Sequence, residues 1–236
     1  MAVNGAYLAM RARWSAQPFV RTYCYWVNEH IIPIQRKFDE QANAVGQETY
    51  ERLCADAHPE SDGSEFAESA LDAGVSFYQT LVSLYQATMN LFAAGLFHLI
   101  EQQLANLTRD GAMETAVLDT QLANVTQYYR EHLDVDLKAF CSWGVIDEMR
   151  LVANATKHGE GRSADDLRRI RPELFQYPAL RRDNEDFVHF PLELPLGGEG
   201  LYITEEDFRR YENAANGLFD FVTIQFSNHA NQYFPR

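Results

Sequence analysis

The sequence predicts an all-α fold, a helical bundle with long central helices and a small β-hairpin near the C-terminus. Apolar residues recur at three- and four-residue steps in successive stretches as far as His158. Clusters of Pro, Gly, Asp and Ser are few and far apart, so the helices between them are long. Helix-ending and helix-starting signals then punctuate the last third. At 236 residues, 46% hydrophobic and 13% aromatic, the chain has material for a substantial core. The predicted organisation is a bundle over residues 1–182, with a hairpin and terminal helix over 183–236 packed on the same domain.

From Phe19 to about Ala57, Val20, Tyr23, Val27, Ile31, Ile34 and Phe38 mark one helical face. Pro33 kinks or divides that helix by removing a backbone donor and crowding the preceding turn. His58 to Ser64 is a loop, and Ser64 caps a long helix running to about Leu107. That helix is apolar on more than one face, with Phe77, Leu81, Leu84 and Leu91 on one and Val75, Tyr78, Val82, Tyr85 and Met89 on another. Such a helix sits centrally, packed on several sides. A helix from about Glu114 to His132 follows, and Asp134 or Asp136 opens the next, which runs to His158. Gly159 ends it by taking the left-handed conformation. Ser163 and Asp166 form a capping-box pattern for a short helix ending near Arg171-Pro172. Phe187 to Ile203 partly alternates around Gly197, Gly198 and Gly200, which predicts the hairpin; Pro191 and Pro195 confine it to edge pairing. Thr204 and Asp207 form a second capping box, opening a terminal helix to about Asn228.

A net charge of −14 argues against bulk DNA binding and against anionic membrane surfaces. Cys24, Cys54 and Cys141 are far apart and odd in number, which fits free thiols in a reducing compartment. No secretory signal pattern is present, and the most apolar run, Met89 to Ile100, is too short to span a bilayer. The expected location is the cytoplasm. No metal or cofactor is predicted: His98 and Glu101 have the reverse of the Glu-x-x-His order used in di-metal bundles, and the chain contains no Glu-x-x-His. That pair reads as a buried His–Glu hydrogen bond or a bundle-core contact.

The site-like feature is the helix ending at His158. Arg150, Asn154, Lys157 and His158 are spaced i, i+4, i+7 and i+8 and share a face; Val145, Met149, Val152 and Thr156 mark the opposite, core-facing stripe. Imidazole can move a proton near neutral pH, and guanidinium and ammonium groups stabilise charge building on a phosphate. Between Arg150 and Arg182, eight Lys/Arg face four acids, which reads as the only basic neighbourhood of an acidic chain. Arg162, Arg168 and Arg169 join Lys157 there as candidate anion- or RNA-binding residues. The plainer reading is that these cations complement the helix dipole and tie down the following loop.

The segment E-M-R-L-V-A-N-A-T-K-H-G, Glu148 to Gly159, resembles the signature helix of the HEPN superfamily, and Leu91 to Leu104 resembles its long helix in outline. In that family an Arg, often followed by Asn, precedes a His by four to six residues. Asn154 and His158 match; the position before the Asn is Ala153, and Arg150 lies one turn earlier. The resemblance implies an all-helical bundle, a homodimer and metal-independent RNA cleavage of a toxin or phage-defence type. It assigns catalysis to Arg150, Asn154 and His158, with His158 acting at the ribose 2′-hydroxyl and Arg150 or Lys157 stabilising the phosphorane. The alternative is a catalytically inactive HEPN-like module that binds a nucleotide or an acidic protein, or that oligomerises.

Overall fold

The computed structural model describes residues 5–58, 63–111, 121–181, 191–192, 196 and 198–233. Its first helical run is longer than the apolar pattern predicts. It comprises α1 (Gly5–Arg11), α2 (Gln17–Trp26) and α3 (Phe38–Ala55), joined by π turns at Ala12–Ala16 and Val27–Ile31 and a 3₁₀ stretch at Ile32–Lys37. Leu8, Ala12, Ala16, Val20 and Cys24 are all buried at four-residue steps. The wide π turns keep that period on one face, which an ideal 3.6-residue helix would rotate out of register. Pro33 lies in the 3₁₀ stretch, where the α-helical hydrogen bonding is interrupted.

The 49-residue α4 (Gly63–Gly111) returns antiparallel beside this run. The Tyr23 hydroxyl donates to the Phe92 carbonyl at 2.9 Å, and Phe38 meets Tyr85 edge-on at 5.8 Å. Further along, backbones approach directly: a Cβ on Gly46 would sit 3.1 Å from Ala70 O, and one on Gly74 3.0 Å from Ala42 O. The α3–α4 pair thus forms a two-helix arm. The body is built from α1, α2 and the C-terminal half of α4 with α5 (Leu122–His132), α6 (Trp143–His158), α7 (Arg162–Ile170) and α8 (Glu205–Tyr233). One apolar cluster joins them, including Leu8, Met89, Ile100, Tyr129, Val152 and Phe219.

Several boundaries differ from the predicted ones. The proposed start of α5 near Glu114 lies outside the described residues, and the described helix begins at Leu122. Asp136 does not open α6; it accepts from the Lys138 amide and caps a single 3₁₀ turn at Leu137–Ala139, so α6 starts at Trp143. Gly159 closes α6 with φ 71°, as the sequence indicates. Ser163 makes no cap, because α7 starts one residue before it. Thr204 and Asp207 do form the capping box: the Asp207 amide donates to Thr204 Oγ1 at 3.2 Å and the Thr204 amide to Asp207 Oδ2 at 3.1 Å. Thr204→Ala is expected to cost ~1 kcal/mol in chemical denaturation, the usual value of a lost cap.

The predicted β-hairpin is absent: the described residues contain no strand, so the all-α bundle stands without it. Residues 187–190, 193–195 and 197 of the predicted hairpin lie outside the described residues. The rest is held by helix side chains rather than by a partner strand. Asn90 donates to the Leu201 carbonyl at 2.9 Å, and Gln86 donates to the Ile203 carbonyl at 3.1 Å. The Tyr202 amide donates to the Leu174 carbonyl at 2.7 Å. Leu192 exchanges with Glu160, its amide donating to the carboxylate at 2.7 Å and its carbonyl accepting from the Glu160 amide at 3.1 Å. With their backbone groups satisfied this way, these residues have no need of a ladder.

Candidate functional site at the end of α6

The helix that carries the predicted site is buried along one side. Met149 and Val152 are fully enclosed, Thr156 nearly so, and Val145 packs partly against the same core. On the other side Arg150 and Asn154 are half-buried, while Lys157 and His158 are exposed. The four predicted residues therefore share the accessible face, as their spacing requires. Ala153, which occupies the place before Asn154, is buried in the core. A guanidinium there would not reach the surface without displacing its neighbours.

The cations around this face are mostly committed. Arg150 Nε donates to Asp147 Oδ1 at 2.7 Å, one turn back on the same helix. Arg168 is paired with Glu160 at 2.6 Å and Asp165 at 3.3 Å, and lies over the Phe175 ring at 4.6 Å. Bonding from Arg168 is the main reason that the Glu160 carboxyl is lowered to about 2, with the Leu192 amide adding to it against a smaller penalty of burial. Arg169 pairs with Asp166, and the largely exposed Arg162 lies 3.9 Å from the same carboxylate. Arg181 donates to the backbone carbonyl of Tyr202 at 3.0 Å. Among the described residues none hydrogen-bonds or ion-pairs with the side chains of Asn154, Lys157 or His158. Most of the described cations of that stretch are thus held in ion pairs, several with acids outside it, and among the described residues Asn154, Lys157 and His158 are left without a partner.

Beneath this face lies a buried charge cluster that sequence reasoning missed. Glu148 is 4% exposed and accepts from Arg171 Nη1 at 2.6 Å, from the Tyr211 hydroxyl at 2.7 Å and from Arg210. Arg171 also donates to Asp207 Oδ1 at 2.5 Å and pairs with Glu173. Burial raises the Asp207 carboxyl, but bonds from Thr204 and Arg171 outweigh it and hold it below the usual aspartate value. Tyr211 is pushed well up by burial and by Glu148, so its hydroxyl stays a donor. The cluster ties α6 to α8 and to the turn after α7. Its signal in sequence is a glutamate inside the buried period of α6, next to Met149 and Val152.

His98 and Glu101 hydrogen-bond at 3.0 Å, but His98 is exposed, so the pair is not the buried contact the sequence suggested; Glu101 also accepts the Leu122 amide at 2.8 Å, anchoring the first turn of α5. Among the described residues no three His, Cys, Asp or Glu side chains gather where a metal ion could be held. Burial raises the Cys24 thiol to about 12, which keeps it protonated and unreactive. No described helix is long and apolar enough to cross a membrane.

The α6 island is not the only basic neighbourhood. Residues 1–28 contain Arg11, Arg13 and Arg21 and no acid, and Met10, Trp14, Phe19 and Tyr25 are exposed between them. The helical pattern predicted from Phe19 onward passes over this stretch.

The fold and the site together define an all-helical bundle with a small cationic helix end. No known family, curated protein or solved structure matches the chain.

Proposed function

We propose that the chain is a HEPN-like module that binds the phosphate of an RNA or nucleotide at the end of α6 without turning it over. The observation that carries this reading is the division of labour on α6. Asn154, Lys157 and His158 lie on one accessible face with no partner among the described residues, whereas Arg150 is held by Asp147 and residue 153 is a buried alanine. Ammonium, imidazole and amide donors on one face suffice to hold a phosphate. Stabilising a phosphorane needs a further cation aimed at the developing charge, and the nearest guanidinium is engaged elsewhere.

The test is fluorescence anisotropy of a labelled single-stranded oligoribonucleotide, with unlabelled AMP as competitor, in chelator. The expected result is saturable binding that Lys157→Ala and His158→Ala each weaken by about tenfold, the scale of one charge-assisted hydrogen bond. Intact oligonucleotide after prolonged incubation completes it. Absence of saturable binding, or binding by both variants as tight as that of wild type, overturns the reading.

The exposed His158 favours a second reading, a metal-independent endoribonuclease. There the imidazole takes the 2′-hydroxyl proton, the 2′-oxygen bonds to phosphorus, and the 5′-oxygen leaves with a proton. The products are a 2′,3′-cyclic phosphate and a 5′-hydroxyl. Cleavage by wild type in chelator, lost in His158→Ala and increased in Asp147→Ala, which frees Arg150, would establish that reading instead.

A further inference from the structure

Two surfaces far from α6 complement each other. One is the exposed face of α1 and α2. Met10, Trp14, Pro18, Thr22 and Trp26 recur there every four residues, kept in line by the π turn at Ala12–Ala16. Trp14 is 72% exposed with Arg13 stacked over its ring at 5.5 Å, and Phe19, Arg21 and Tyr25 flank it. An aromatic ridge this open on a folded domain marks a contact surface. The other surface is an open groove of about 420 Å³ along the α3–α4 arm. Its lining includes the small residues Gly46, Ala70 and Gly74, where the two backbones meet, and the large residues Tyr50, Leu71 and Tyr78. Leu71 is 67% exposed. Leu71, Val75 and Tyr78 continue the same seam that is buried at Met89, so the arm carries a core-type stripe with nothing on it among the described residues.

Charge decides what covers the groove. From Phe38 to Tyr78 the sequence has ten acids and one arginine, so two arms repel each other. The α1–α2 ridge belongs to a stretch with three arginines and no acid. A chain cannot seat its own ridge in its own groove. Tyr23 is bonded to Phe92, and Leu71 lies 21 residues up α4 from Phe92, roughly 30 Å along the helix axis. We infer that the chain associates head to tail: the basic aromatic ridge of one copy, centred on Arg13 and Trp14, docks in the apolar groove on the acidic arm of a second copy, between Asp39, Tyr50, Leu71 and Tyr78. Repeated head to tail, with each copy giving its ridge to one neighbour and its groove to another, the contact builds a ring or an open filament. It is independent of what α6 binds.

Sedimentation velocity on the full chain, with two surface variants, tests this. Leu71→Gln/Val75→Gln blocks the groove and Arg13→Glu/Trp14→Gln blocks the ridge. Wild type is expected to associate beyond the dimer as concentration rises, and less so by about tenfold between roughly 50 and 300 mM NaCl. Each variant alone is expected to be monomeric. Mixed one to one, they should form a dimer that grows no further, because only one intact ridge and one intact groove remain. Charge reversal gives a second route should a blocked variant lose its helical circular dichroism: reversing the groove's acid, Asp39→Lys, and the ridge's Arg13→Glu should each weaken association and together restore part of it. A monomeric wild type, a blocked variant that self-associates like wild type, or a mixture that does not pair overturns the proposal.

Discussion

Glu148→Ala should destabilise the protein by ~3–5 kcal/mol, lowering its melting temperature by roughly 10 °C, the largest effect expected of any polar substitution here. The carboxylate is buried where Arg171, Arg210 and Tyr211 converge on one oxygen. Removing it leaves Arg210 and the Tyr211 hydroxyl without their buried acceptor, and Arg171 keeps only Asp207 and Glu173. Breaking a buried pair from one side costs more than the pair contributes, because the remaining charge stays desolvated. Glu148→Gln, which keeps an acceptor oxygen, should cost less than half as much. Equal melting temperatures for wild type and Glu148→Ala would show that the cluster does not hold α6 to α8.

The same cluster sets an acid limit. The Asp207 carboxyl is depressed in the folded chain, so its contribution is present above the unfolded aspartate value, about 3.9, and is lost as pH falls through the lower folded value. Glu160, lowered to about 2, acts in the same direction in the window between 4.5 and about 2. Unfolding followed against pH should therefore steepen below about pH 4, and Asp207→Asn should flatten that limb.

Gly198→Ala should be the most damaging backbone substitution, costing about 3 kcal/mol and loosening the segment 198–203. Gly198 has φ 79°, and a Cβ there would be placed against the carbonyl of Ser83 and 2.8 Å from the Ala87 amide nitrogen. A side chain meets helix backbone that cannot give way, so the segment must lift off α4. Proteolysis is the sensitive readout: lifting exposes the contacts of Asn90 and Gln86, and cleavage near residue 200 should accelerate. A Gly198→Ala chain as resistant as wild type would mean that the segment tolerates another path.

The long helices were legible because their apolar residues repeat over many turns, and Gly159 and the Thr204–Asp207 box acted through purely local geometry. The hairpin was not, since alternation in Phe187–Ile203 reports which residues face inward and is silent on what satisfies the backbone. Asn90 and Gln86 provide that from 111 and 117 residues away. The α6 face was legible for the same reason as the helices. Which of its cations are free was only partly legible: Asp147, Asp165 and Asp166 sit one turn before their arginines, whereas Glu160, Glu148 and Asp207 are brought to theirs by the fold. The π turns hid α1, whose four-residue period falls between the helical template and no template at all.

The Asn90–Leu201 contact also orders events during synthesis. Asn90 is fully buried, and its partner carbonyl lies 111 residues later in the chain. At about 5–20 residues per second, α4 emerges some 6–20 s before the segment that covers it. Over that interval the polar seam of its central turns must stay hydrated, so the two-helix α3–α4 unit can form early while the body closes last. Nascent chains arrested before residue 201 should consequently show a protected arm and an unprotected centre of α4 in hydrogen exchange.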